Sequence, residues 1–70
     1  MVRHMRRIGN LMVGLNGEII GVFVTYEGRE IYVPMSQVNR YPPIVRMRVK
    51  REVNRHRVLQ LLRIIHGSSE

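Results

Sequence analysis

The sequence predicts a mostly β domain with one C-terminal α-helix, built as an antiparallel meander capped by the helix or closed into a small barrel. Three observations carry this fold class. Residues 11–35, LMVGLNGEIIGVFVTYEGREIYVPM, alternate in side-chain character around two tight-turn dipeptides. Residues 44–50, IVRMRVK, return to strict alternation. Beyond residue 52 the apolar spacing becomes helical.

Asn16-Gly17 is the dipeptide favoured by a type I′ hairpin, in which both central residues need positive φ. Glu27-Gly28 is a weaker signal of the same length. Two-residue turns at both places put Leu15 opposite Glu18 and Tyr26 opposite Arg29. Counting outward, Leu11, Val22 and Val33 align across three strands, as do Val13, Ile20 and Met35, with Val24 beside Ile31. Side chains alternate between faces, so all eight form one aliphatic face, the expected core. The other face carries Phe23 and Tyr32 as a cross-strand pair.

Residues 1–10 read as a basic N-terminal arm or a short strand, ended by Gly9-Asn10. After Met35 the alternation stops, with room for a 3-10 turn over 36–39. Pro42-Pro43 reads as excluding both helix and central strand at that point. In the strand expected over 44–50, Val45, Met47 and Val49 point toward the aliphatic face. Arg46, Arg48 and Lys50 form a row of cations on its wet side. The helix is expected over about 52–66, with Asn54 as N-cap and Gly67 at C′. Val58, Leu61, Leu62 and Ile65 keep the spacing of one helix face, and Leu59 and Ile64 widen it. So wide a stripe exceeds what capping the sheet requires. One domain thus spans 11–67, with residues 68–70 as a tail.

The chain has 70 residues, and one domain of that size buries only roughly 60% of its unfolded surface. It contains no cysteine, which removes disulfides and thiol chemistry. No secretory leader and no apolar run of membrane-spanning length is visible, so a cytoplasmic protein is expected. Twelve basic residues stand against five acidic ones, a formal charge of +7. Eleven of the twelve are arginine, and Lys50 is the single lysine. Arginine's planar fork matches phosphate oxygens and stacks on bases, so the expected partner is RNA or DNA, met through its phosphate backbone.

Catalysis finds little support. Aspartate and cysteine are absent, and His4, His56 and His66 follow no metal-ligand spacing. No glycine pattern matches a phosphate loop, and no cofactor or metal is expected. The nucleic-acid candidates are Arg46, Arg48, Lys50, Arg3, Arg6, Arg7 and Arg40, with Phe23 and Tyr32 as a stacking platform. The competing role for Phe23 and Tyr32 is plain cross-strand packing. A second class of function is a protein-interaction module, a homodimer or a subunit of a ribonucleoprotein assembly. Its interface would use Leu59, Leu62 and Ile64.

The run FVTYEGREIYVPMSQV, a hairpin leading into a short turn and then a basic segment with a methionine, resembles the seven-kilodalton archaeal chromatin proteins. The resemblance covers residues 23–50 and implies an SH3-like barrel closed by a C-terminal helix. It also implies minor-groove DNA binding by the strand over 44–50, with Ile44 or Met47 as wedges. The tryptophan of that family is replaced here by the Tyr41-Pro42-Pro43 region, and residues 1–15 have no counterpart. Small basic barrels are also familiar in ribosomes, so the expected association is with ribosome or nucleoid.

Overall fold

A computed structural model of the protein describes residues 5–68, with side chains through residue 65. The expectations placed on Arg3, His4, the His66 side chain and residues 69–70 lie outside the described residues. The chain forms four antiparallel strands, β1 (Arg6–Ile8), β2 (Leu11–Val13), β3 (Ile19–Tyr26) and β4 (Arg29–Pro34). A 3-10 helix (Met35–Arg40) and one long helix, α1 (Pro43–Ser68), follow. The strands lie in the order β1-β2-β3-β4 in an open sheet.

The second hairpin forms as its residues dictate. Glu27 (φ 51°) and Gly28 (φ 80°) both adopt positive φ, and Tyr26 pairs with Arg29 in a two-residue turn. Val22–Val33, Phe23–Tyr32 and Val24–Ile31 then pair in the anticipated register. The first hairpin differs. Only Gly17 of the Asn16-Gly17 pair has positive φ. The Gly14 N–H donates to the Glu18 carbonyl (2.8 Å) and the Gly17 N–H to the Gly14 carbonyl (3.1 Å), enclosing a three-residue loop. That loop shifts the pairing by one, so Val13 meets Ile19 and not Ile20. An irregularity between Met12 and Val13 restores the register, and Leu11 meets Val22 as expected.

The fourth strand is not the expected one. Residues 44–50 are helical, and β1 supplies the fourth strand by pairing with β2. Two physical facts explain the difference. The Arg46 N–H donates to the Pro42 carbonyl (3.0 Å), which makes Pro42 the N-cap and Pro43 the first helical residue. A proline there loses nothing by lacking an N–H. In addition, Val45, Val49 and Val53 are spaced by four residues, a step that suits alternation and a helix face equally, but a strand would also turn Arg51 inward between Val49 and Val53, whereas a helix turns it away. Asn54, expected to cap, lies inside the helix, and Gly67 falls within its last turn.

The core holds Leu11 and seven valines. Val22 and Val33 at the sheet centre and Val45 on the helix are completely buried, and Val49 is 2% exposed. Met47, expected beside them, is 52% exposed. The stripe Val58, Leu61, Leu62 and Ile65, expected to cover the sheet, is exposed throughout. Helix α1 therefore docks through its first three turns only, and every side chain from 57 to 65 is exposed. Among the described residues no helix is long and apolar enough to cross a membrane.

Helical and strand placements of 44–50 differ in a measurable way. Val49→Ala should lower stability by about 2 kcal/mol in urea unfolding. Met47→Ala should change it by no more than about 0.5 kcal/mol. Equal losses at the two positions would restore the strand.

Candidate nucleic-acid interface

The positive charge is concentrated on one element. Helix α1 carries seven cations, Arg46, Arg48, Lys50, Arg51, Arg55, Arg57 and Arg63, against Glu52, and so holds 7 − 1 = +6 of the chain's +7. No acidic residue occupies its first turn. Cations at a helix N-terminus oppose the helix dipole, at a typical cost of about 0.3–1 kcal/mol each where they are near the end.

Because 44–50 is helical, the expected row of three cations is divided. At about 100° per residue, Arg46 and Lys50 share a side, and Arg57 extends it two turns further. Arg48 points about 160° away from Arg46 and lies in line with Arg51 and Arg55. This second line is partly neutralised, since Arg55 approaches Glu52 at 3.9 Å. Arg51 and Arg55 were missed as site residues, although the spacing 48, 51, 55 marks a helix face once the helix starts at Pro43.

Two of the predicted cations also brace the fold. Arg46 Nη1 donates to the Tyr41 carbonyl (2.6 Å), fixing the chain before the helix. Arg48 Nη1 donates to the Thr25 carbonyl, on the stretch of β3 that extends past β2. Lys50, Arg51 and Arg57 make no ion pair or side-chain hydrogen bond with the described residues. Their charge is available.

Of the remaining candidates, Arg7, Phe23 and Tyr32 lie on the sheet face turned away from the helix. Phe23 and Tyr32 pair with ring centroids 5.0 Å apart and planes tilted by 48°. The Arg7 guanidinium sits 3.9 Å from the Phe23 centroid and also donates to Glu30 at 2.9 Å. Arg7 thus occupies a face of Phe23 that a base would need, and Glu30 takes up its charge. Tyr32 lies over Gly21, where a Cβ would run into the phenol ring. The aromatic pair is packed as a unit with its arginine lid. Arg6 is exposed on β1, and Arg40 is exposed at the end of the 3-10 helix. The two sets approach each other at a cleft beside β3, where Phe23, Thr25 and Glu30 face Arg48, Arg51 and Glu52. With two carboxylates in its walls, that cleft suits phosphate poorly.

His56 is half-buried in a second shallow cleft between the β1–β2 turn and the helix, with Ile8 and Leu59. Among the described residues no cluster of three histidine or acidic side chains could hold a metal ion. Comparison with protein-family models, curated proteins and solved structures finds no match.

The packing of Tyr32 over Gly21 gives a direct test of the aromatic unit. Gly21→Ala should destabilise the protein by about 1–2 kcal/mol, although alanine normally suits a strand better than glycine. Most of that loss should disappear in a Tyr32→Ala background, as measured by a double-mutant cycle.

Proposed function

We propose that this protein binds nucleic acid without catalysis, through arginine and lysine contacts to the phosphate backbone along helix α1. One observation supports the reading above others: +6 of the net charge lies on a single helix whose first turns are cationic where the dipole favours anions. A polyanion along that helix offsets both the mutual repulsion of the cations and their conflict with the dipole. Arg46, Lys50 and Arg57 form its centre, because no acidic side chain of the helix shares their side. Arg48, Arg51 and Arg55 flank it, and Arg3, Arg6, Arg7 and Arg40 contribute long-range attraction.

On this reading base recognition is slight. The aromatic pair is covered by Arg7 and faces away from the cationic helix, so Phe23 and Tyr32 serve chiefly as sheet structure. Met47 and Ile44 lie exposed on α1, and any wedge role in the manner of the chromatin proteins would be exercised from a helix. Phosphate is common to RNA and DNA, and both a ribosomal or other RNA-bound role and a chromatin-like role are compatible with the charge.

Affinity for a duplex DNA and for a structured RNA of matched length should fall steeply with salt, by close to one counterion per phosphate engaged. A flat salt response would overturn the proposal, and a large difference between the two ligands would identify the class bound. Lys50→Gln with Arg57→Gln should leave the helical circular dichroism unchanged and reduce the slope of log affinity against log salt by about 2. An unchanged slope would remove this side of the helix from the interface.

A further inference from the structure

Helix α1 has two apolar faces, one in each half, pointing in opposite directions. Val45, Val49 and Val53 face the sheet. The polar side chains His56, Gln60 and Arg63 continue that side along the helix. The apolar residues of the second half lie about 170° around, on the side away from the sheet. They continue a series that starts in the first turn: Ile44, Met47, Arg51, Asn54, Val58, Leu61, Ile65. Its steps alternate three and four residues, the a/d spacing of a coiled coil. Leu62 lies beside it, whereas Leu59 and Ile64 turn about 100–120° from it, toward the sheet side. Ile44 (38%), Met47 (52%), Val58 (54%), Leu61 (59%), Leu62 (44%) and Ile65 (58%) are all exposed.

We propose that this outer seam of α1 pairs with the same seam of a second copy, in antiparallel orientation about a two-fold axis near residue 56. The orientation follows from the two polar residues in the series. A parallel, in-register pair would place Arg51 against Arg51 inside the seam and bring Lys50 of each chain to Arg55 of the other. An antiparallel pair aligns residues whose numbers sum to 112. Met47 then meets Ile65 of the other copy, Arg51 meets Leu61 and Asn54 meets Val58, each an a position against a d position. Arg51 has a long stem that covers leucine while its charged head reaches the cleft beside β3. Only Arg55 and Arg57 approach their own copies, at the rim, where Glu52 already accompanies Arg55.

Area and shape agree with this occupant. The six apolar residues expose roughly 600 Å² on each helix, and the stems of Arg51 and its neighbours bring a side toward the roughly 800 Å² of a standard interface. Both sheets lie on the far sides of their helices, so the pair stacks as sheet, helix, helix, sheet without collision. The proposal does not depend on nucleic-acid binding, and salt separates the two. Screening of the Arg55 and Arg57 rim contacts should tighten the dimer, whereas it weakens attraction to phosphate.

Sedimentation equilibrium of the full chain from micromolar to millimolar concentration should show a monomer passing to twice its mass, with the midpoint moving to lower concentration at high salt. Leu61→Lys with Ile65→Lys should abolish the dimer, since the lysine at position 61 of each copy would meet Arg51 of the other, and preserve the helical circular dichroism. The chain has no cysteine of its own, so orientation can be read by thiol cross-linking. A mixture of Met47→Cys and Ile65→Cys proteins should join into a heterodimer with a short bifunctional reagent, while neither joins to itself. A monomer at every concentration, or association unaffected by the two lysines, would overturn the proposal. Self-cross-linking of Ile65→Cys would overturn the antiparallel register.

Discussion

The structure depends on close contact between Val22 and Val33 at the sheet centre and Val45 and Val49 on the helix. These four side chains are buried almost completely, and each is small. Small side chains let helix and sheet approach closely but supply limited apolar area, so stability on the order of 3–5 kcal/mol is the expectation for such a core. Helix α1 is 26 residues long, about 39 Å, whereas its buried valines span only residues 45–53. Its remaining length is anchored by position and not by burial. Apart from half-buried Glu52 and His56, the rest of the helix's described side chains therefore face outward, which explains why one element displays both the charge and an apolar strip.

Much of the sheet was legible because two-residue periodicity is rigid. Once Glu27-Gly28 turns, each pair from Tyr26–Arg29 to Val22–Val33 follows. The Asn16-Gly17 turn was misjudged because dipeptide identity does not set loop length. Gly17 alone takes positive φ, Gly14 becomes the closing residue, and the extra loop residue is absorbed at the strand irregularity beside Val13. Leu11 still reaches Val22, so the core face survives a local error in the turn.

Residues 44–50 were not legible from periodicity, and the reason is arithmetic. Val45 and Val49 satisfy strand alternation and helical spacing together, so only residues outside the segment decide. Arg51 would be turned into the core by a continued strand but not by the helix, and Pro43 occupies the one helical position where proline is favoured. The candidate site inherited the consequence. A strand would have lined up Arg46, Arg48 and Lys50, whereas the helix separates Arg48 and recruits Arg57, Arg51 and Arg55. The residue types were readable from the sequence. Their grouping required knowing the element.

The two outward features of α1 constrain each other. A cationic stripe that served no partner would be a cost to a domain with so small a core, since like charges repel and the helix dipole opposes them near Pro43. An apolar seam left open would be a second cost, through association in any available register. Antiparallel pairing removes the second cost and leaves the first to a polyanion. It covers the seam, and the two-fold axis near residue 56 places the cation-rich first half of each helix beside the second half of the other. Arg46 and Lys50 of the two copies then lie at opposite ends of the pair, and their stripes stay open to solvent on both. A dimer arranged this way offers a polyanion two separated rows of cations, which meet the rim of the pair at Arg57.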